Sequence, residues 1–98
     1  MSPVNQLELT ASILEIDALR YTPSGLPAVN ARLEHDSQIP EVGQVRQVKA
    51  IVKSVAFGSV AEQLARQNIG SNWNFKGFVA TPRGAKHVVF HIQEFVQK

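Results

Sequence analysis

The residues of this sequence with chemistry to offer are its ten basic side chains and a few rings. From Arg46 to Lys86 the bases are Arg46, Lys49, Lys53, Arg66, Lys76, Arg83 and Lys86, with Glu62 the one acid among them, whereas six of the eight acids lie at or before Glu41. If the fold gathers those bases on one face, they make a field that attracts polyanions, and with few aromatics to spare any ring on the surface becomes informative. The bland alternative is a set of scattered solvating charges. Catalysis finds little footing, because no Ser, His and Asp set, carboxylate pair or phosphate-cradling loop appears at useful spacing. Cysteine is absent, which removes disulfides, thiolate metal sites and cysteine nucleophiles. His87 and His91 fall on one face of a strand but about 13 Å apart, too far to share a metal. The expectation is a protein that is not an enzyme and needs neither metal nor cofactor.

Those side chains need a scaffold that gathers them, and hydrophobic periodicity supplies one. Leu7, Leu9, Ala11 and Ile13 alternate with Glu8, Thr10 and Ser12, the period-two pattern of a half-buried strand. Thr22-Pro23-Ser24-Gly25 has turn chemistry, and Val29, Ala31 and Leu33 follow as a second strand. Glu34 to Gly43 is polar, contains Pro40 and Gly43, and reads as a loop. Val48, Ala50 and Val52 make a third strand with Lys49 and Lys53 on its outer face. Ser59 stands as an N-cap with Glu62 three residues on, opening a short helix that Gly70 stops. Trp73 to Ala80 forms the fourth strand and Val88 to Ile92 the fifth, with Phe95 and Val96 as an extension. At 98 residues, 44% of them apolar, one domain over 1–98 is expected. Five strands with one helix between the third and fourth is the order of the OB-fold, an all-β, partly open Greek-key barrel that binds oligonucleotides or oligosaccharides.

Within that barrel the alternation turns Asn30 and Arg32, Lys49 and Lys53, and Lys76 and Phe78 outward on neighbouring strands. Arg20 sits at a hairpin tip, Arg46 before the third strand, and Arg83, Lys86 and His87 in the loop before the fifth. These eleven residues are the candidate nucleic-acid contacts. Phe78 serves as a stacking platform, in a subunit contact or in plain packing. Tyr21 either packs on Pro23 or stacks on a base. Trp73 and Phe75 read as core, and Phe57 as a cap on the barrel. Leu7 and Leu9, near the terminus of an exposed strand, are the expected dimer contact. The N-terminus has no basic stretch leading into an apolar one, and no run approaches the roughly 20 apolar residues that span a bilayer, so no membrane partner and a cytoplasmic location are expected.

The segment Arg20-Tyr21-Thr22-Pro23-Ser24-Gly25-Leu26-Pro27-Ala28-Val29-Asn30 resembles the strand-turn-strand signature of bacterial single-stranded DNA-binding proteins. Leu33-Glu34-His35-Asp36-Ser37, Ile69-Gly70-Ser71, the pair Gly77-Phe78 and His91 bring the chain closer to the primosomal replication protein N family, PriB, with a resemblance running from Asn5 to Val96. What that resemblance implies is an OB-fold homodimer that binds single-stranded DNA in the restart of stalled replication forks, bridging a helicase and a helicase-loader protein. One departure stands out: family members can carry a large aromatic on the open face of the third strand, where this chain has Val48-Lys49-Ala50. Two other readings stay open. One is a general strand-coating protein, against which the end Glu94-Phe95-Val96-Gln97-Lys98 lacks a Gly/Pro-rich region and acidic tip. The other is an OB module that binds proteins and no nucleic acid.

Overall fold

Alternation along the chain becomes strands that the computed structural model describes over residues 2–97. In order they are β1 (Leu7–Ile16), β2 (Arg20–Tyr21), β3 (Pro27–Glu41), β4 (Gln44–Phe57), helix α1 (Ser59–Ala65), β5 (Asn72–Ala80) and β6 (Val89–Gln97). The sheet runs β1-β5-β6-β4-β3 and closes because β1 also pairs with β3, while the two-residue β2 extends the β3 edge. All pairings are antiparallel except β4 with β6, which run parallel through Ser54↔Phe90, Val55↔His91 and Ala56↔Ile92. The result is the five-stranded OB barrel. Its interior is Ile13, Val29, Leu33, Ala56, Phe75, Phe90 and Ile92, and α1 inserts Ala61 and Leu64 into the same cluster. The helix thus plugs the barrel.

Two expectations need correction. Glu34 to Gly43 is not a loop: β3 and β4 pair without a break from Ala28↔Phe57 to Glu41↔Gln44. Beyond the barrel this ribbon has water on both faces, so no alternation of apolar and polar residues marks it. Its turn is Val42-Gly43, with φ of 51° and 74°, a two-residue hairpin turn that needs positive φ twice. Valine is a poor residue for the first of these positions, which is why the turn carries no sequence signal. The second correction concerns the helix start. Gly58 is the N-cap, no side chain caps the helix, and Ser59 is already helical. The Glu62 N–H donates to the Gly58 carbonyl at 3.3 Å, so the left-handed glycine, φ 73°, does the work assigned to the serine hydroxyl.

Three local devices set the edges. β1 pairs with β5 over Leu7–Ser12 and with β3 only from Ser12 onward, so its first half has one unpaired edge. His35 covers part of it, its Nδ1 2.7 Å from the Thr10 carbonyl and its Nε2 2.8 Å from Ser37 Oγ. Leu7 and Leu9 themselves pack against the core cluster, leaving backbone rather than leucine side chains on that edge. Where β1 stops pairing, Asn5 continues: its Nδ2 donates to the Val79 carbonyl at 2.7 Å and its Oδ1 accepts from the Val79 N–H at 3.0 Å. In the β5–β6 ladder the register slips between Lys76 and Gly77. A Cβ at Gly77 would lie 1.7 Å from the His91 carbonyl oxygen, so only glycine admits this close approach.

Candidate nucleic-acid interface

The slip at Gly77 fixes what comes next to it. Phe78 lies opposite His91, and the two rings stack with centroids 4.7 Å apart and planes 16° from parallel. His91 in turn stacks on Phe57 at 5.9 Å and 30°. Three rings from three adjacent strands, β5, β6 and β4, therefore form one ladder on the outside of the barrel. The same cross-strand row continues through Val55, opposite His91, to Asn30, opposite Val55. Phe57 is exposed at the ladder's end, not a cap on the barrel. Its position follows from period two, because Lys49, Ile51, Lys53, Val55 and Phe57 share one face of β4. His91, not proposed as a contact from sequence, takes the central place for the same reason.

Four depressions with shared walls follow this face of β4. The first, about 350 Å³, lies between Ile51, Lys53, His87 and Val88. A second, about 270 Å³, holds Lys53, Arg32 and Asn30, together with Glu15 and Asp17. The third, about 460 Å³, is bordered by Arg20, Asn30, Val55, Phe57, Val89 and His91. The last, about 330 Å³, ends the track between Phe57, His91 and Phe78. From Ile51 to Phe57 the track spans about 20 Å by strand rise. The 81–88 loop, which carries Arg83, Lys86 and His87, supplies Pro82 to the third depression and His87 to the first.

Most candidate contacts meet here. Arg20, Asn30, Arg32, Lys53, Phe78 and His87 line the track, and Lys49 continues its face up the hairpin. Arg83 and Lys86 lie in its bordering loop and are exposed. Two fall elsewhere. Arg46 is on the other face of the hairpin, opposite Ile39, and is ion-paired with Glu41. Lys76 lies between Glu8 on β1 and Glu94 on β6, in a separate depression by Asn5. The charge asymmetry of the sequence is also partly undone by antiparallel pairing. Asp36 faces Lys49 across the hairpin, and Glu15 reaches Arg32 at 3.8 Å. Arg20 is held differently, donating from Nη2 to Asn30 Oδ1 at 2.7 Å, and is not ion-paired among the described residues. Trp73 and Phe75 pack inward as expected, with Trp73 edge-on to Phe95 at 5.0 Å. Among the described residues no group of three or more His, Asp and Glu could hold a metal ion, and no helix is long and apolar enough to cross a membrane.

Residues 5–94 match a family described as another single-strand binding protein family. The chain is 39% identical over 92 residues to the replication restart protein PriB of Bordetella pertussis, covering 93% of this chain and 86% of that one. The three-dimensional structure of PriB from Ralstonia solanacearum superposes with a TM-score of 0.89 at 34% identity, covering 97% of this chain and 98% of the other. The SSB domain of a Synechococcus protein shares the fold, with a TM-score of 0.72 at 21% identity over 97% of each chain.

Proposed function

The chain belongs to the PriB family of replication restart proteins, within the single-strand binding proteins, and from that premise we propose that it binds single-stranded DNA along the β4 track and acts without chemistry of its own. The observation that carries this reading is the ladder Phe57–His91–Phe78 beside a groove with basic walls. With His91 stacked between them, Phe57 and Phe78 offer the outer π-faces of the ladder to a base and each cation a counter-charge to a phosphate, the two terms that sequence-tolerant single-strand binding combines. The large aromatic missing at Lys49 is thereby replaced by Phe57 further along β4 and by rings on β5 and β6.

The finer reading is that the protein bridges a restart helicase and a helicase-loader protein. The hairpin end supports it. Ile39, Val42 and Val45 are exposed there, Val42 to 92%, and Val42 is held at φ 51°, a conformation a β-branched residue adopts at a cost. An apolar tip with its one cation, Arg46, already paired suits a protein partner better than a phosphate backbone. A homodimer through the free edge of β1 completes the proposal. Thr10 turns its carbonyl to that edge, so by alternation Glu8 presents both backbone groups there, and a second β1 has a short ladder to join.

The test is a salt titration of binding to a labelled oligothymidylate. Four to six phosphate contacts on a single strand give a slope of log affinity against log salt of about −3 to −4, with residual binding at high salt from the rings. Absence of binding at the lowest salt would leave the protein-only OB module as the better reading. Sedimentation at micromolar concentration checks the dimer, which a persistent monomer would refute.

A further inference from the structure

The third depression has a feature that sequence-tolerant binding does not call for: it is concave, and its rim carries the guanidinium donors of Arg20 beside the amide of Asn30. The floor is apolar, built from Val55, Ala80, Pro82 and Val89, and one wall is the pair of rings Phe57 and His91. At the rim Arg20 spends one guanidinium N–H on Asn30 Oδ1, and a guanidinium has five. That bond also fixes the amide of Asn30, with Oδ1 toward Arg20 and the two Nδ2 protons left to donate. Resting on the single-strand reading above, we propose that this depression is a nucleobase pocket that selects guanine.

A base edge meeting this rim needs adjacent acceptors. Guanine presents N7 and O6 side by side, the pair that a guanidinium fork matches bidentately. Adenine puts an N6 donor beside N7, and the Asn30 oxygen that would accept it is already engaged by Arg20. Thymine separates its two acceptors by the N3 proton. Cytosine has neighbouring acceptors at O2 and N3 but only a single ring to lay against Phe57 and His91, so it ranks second. A phosphate would satisfy the donors too, yet it would have to shed water against Val55, Val89 and Pro82, and a charge without full compensation does not settle on an apolar floor. A base fills both halves of the site.

The experiment compares a labelled oligothymidylate with the same strand carrying one central dG, dA or dC, for the native protein and for Arg20→Lys. The dG strand is expected to bind about tenfold more tightly than the all-T strand. Arg20→Lys keeps the charge and loses the fork, so the ratio of dG-strand to all-T affinity should fall from about ten to about one, whatever happens to the overall affinity. Equal affinity for all four strands, with oligothymidylate still bound, overturns the pocket and leaves the single-strand reading intact. So does an Arg20→Ala variant that weakens every strand alike and lowers the slope by about 0.7, since that is the behaviour of a phosphate contact. Failure of the native protein to bind any strand overturns the single-strand reading, and the pocket with it.

Discussion

The barrel wall and the hairpin are made from the same two strands, β3 and β4, yet they treat charge and apolar surface in opposite ways. On the wall, Val55 and Phe57 continue into the rings of β6 and β5, Arg20 is not ion-paired among the described residues, and the basic 81–88 loop stands alongside, with Glu15 on Arg32 as the offsetting acid. Past the barrel, Lys49 faces Asp36, Arg46 is paired with Glu41, and the exposed large apolar side chains at the tip are Ile39, Val42 and Val45. On the proposed reading, one stretch of ribbon serves a nucleic acid at its root and a protein at its end. Residue type does not separate the two uses; cross-strand partners do. A lysine opposite an aspartate contributes less counter-charge to a phosphate than a lysine opposite an arginine, as Lys53 is opposite Arg32.

The comparison breaks most severely at Gly77. Replacement by alanine drives a methyl group into the His91 carbonyl, and we expect a loss of about 3 kcal/mol or more from overpacking, read by calorimetry as a fall in Tm of about 12 °C or more. Tm unchanged within a degree would mean that the β5–β6 slip does not need glycine. Phe78→Ala attacks the wall alone. It should weaken oligonucleotide binding about tenfold, equivalent to about 1.4 kcal/mol, while binding of a protein partner at the hairpin tip stays the same; an effect on neither would return Phe78 to plain packing. Single lysines sharpen the contrast on a smaller scale. Lys53→Ala should flatten the salt slope by about 0.7 and Lys49→Ala by visibly less, because Asp36 already offsets Lys49; equal changes would show that cross-strand compensation is unimportant. The smallest effect is on the tip. Val42→Asn gives the turn a residue at ease with positive φ and should raise stability by about 0.5–1 kcal/mol at the expense of partner affinity, and a variant that is less stable would contradict the turn geometry.

Where one face of a strand met the core, sequence was enough. The alternation in β5 placed Phe75 inside, and the order of strands with one helix predicted the OB barrel that the structure contains. The hairpin arm from Glu34 to Gly43 was illegible because a ribbon wet on both sides has no reason to alternate, and because Val-Gly is not a turn dipeptide with a strong signature. For the candidate site, Lys53, Asn30 and Phe78 could be placed outward by parity alone. What parity could not provide was register: that Phe78 meets His91, that His91 meets Phe57, and that Asp36 meets Lys49 are facts of pairing between strands distant in sequence, with the first depending on a one-residue slip at Gly77.

Asn5 has a consequence for how the protein keeps in solution. Its carboxamide is a peptide group on a short tether, and by bonding both ways to Val79 it occupies the place where a stranger's backbone would dock. The far end of β5, with Phe78, Val79 and Ala80 in sequence, is apolar and strand-forming, the kind of segment that seeds fibrils when its edge is bare. Aspartate at position 5 could accept from the Val79 N–H but would turn a second oxygen toward the carbonyl, and alanine would offer nothing. A single amide ahead of the first strand is thus placed to act as a gatekeeper against self-templating, and preparations whose chain starts after Asn5 should be the ones that turn cloudy on standing.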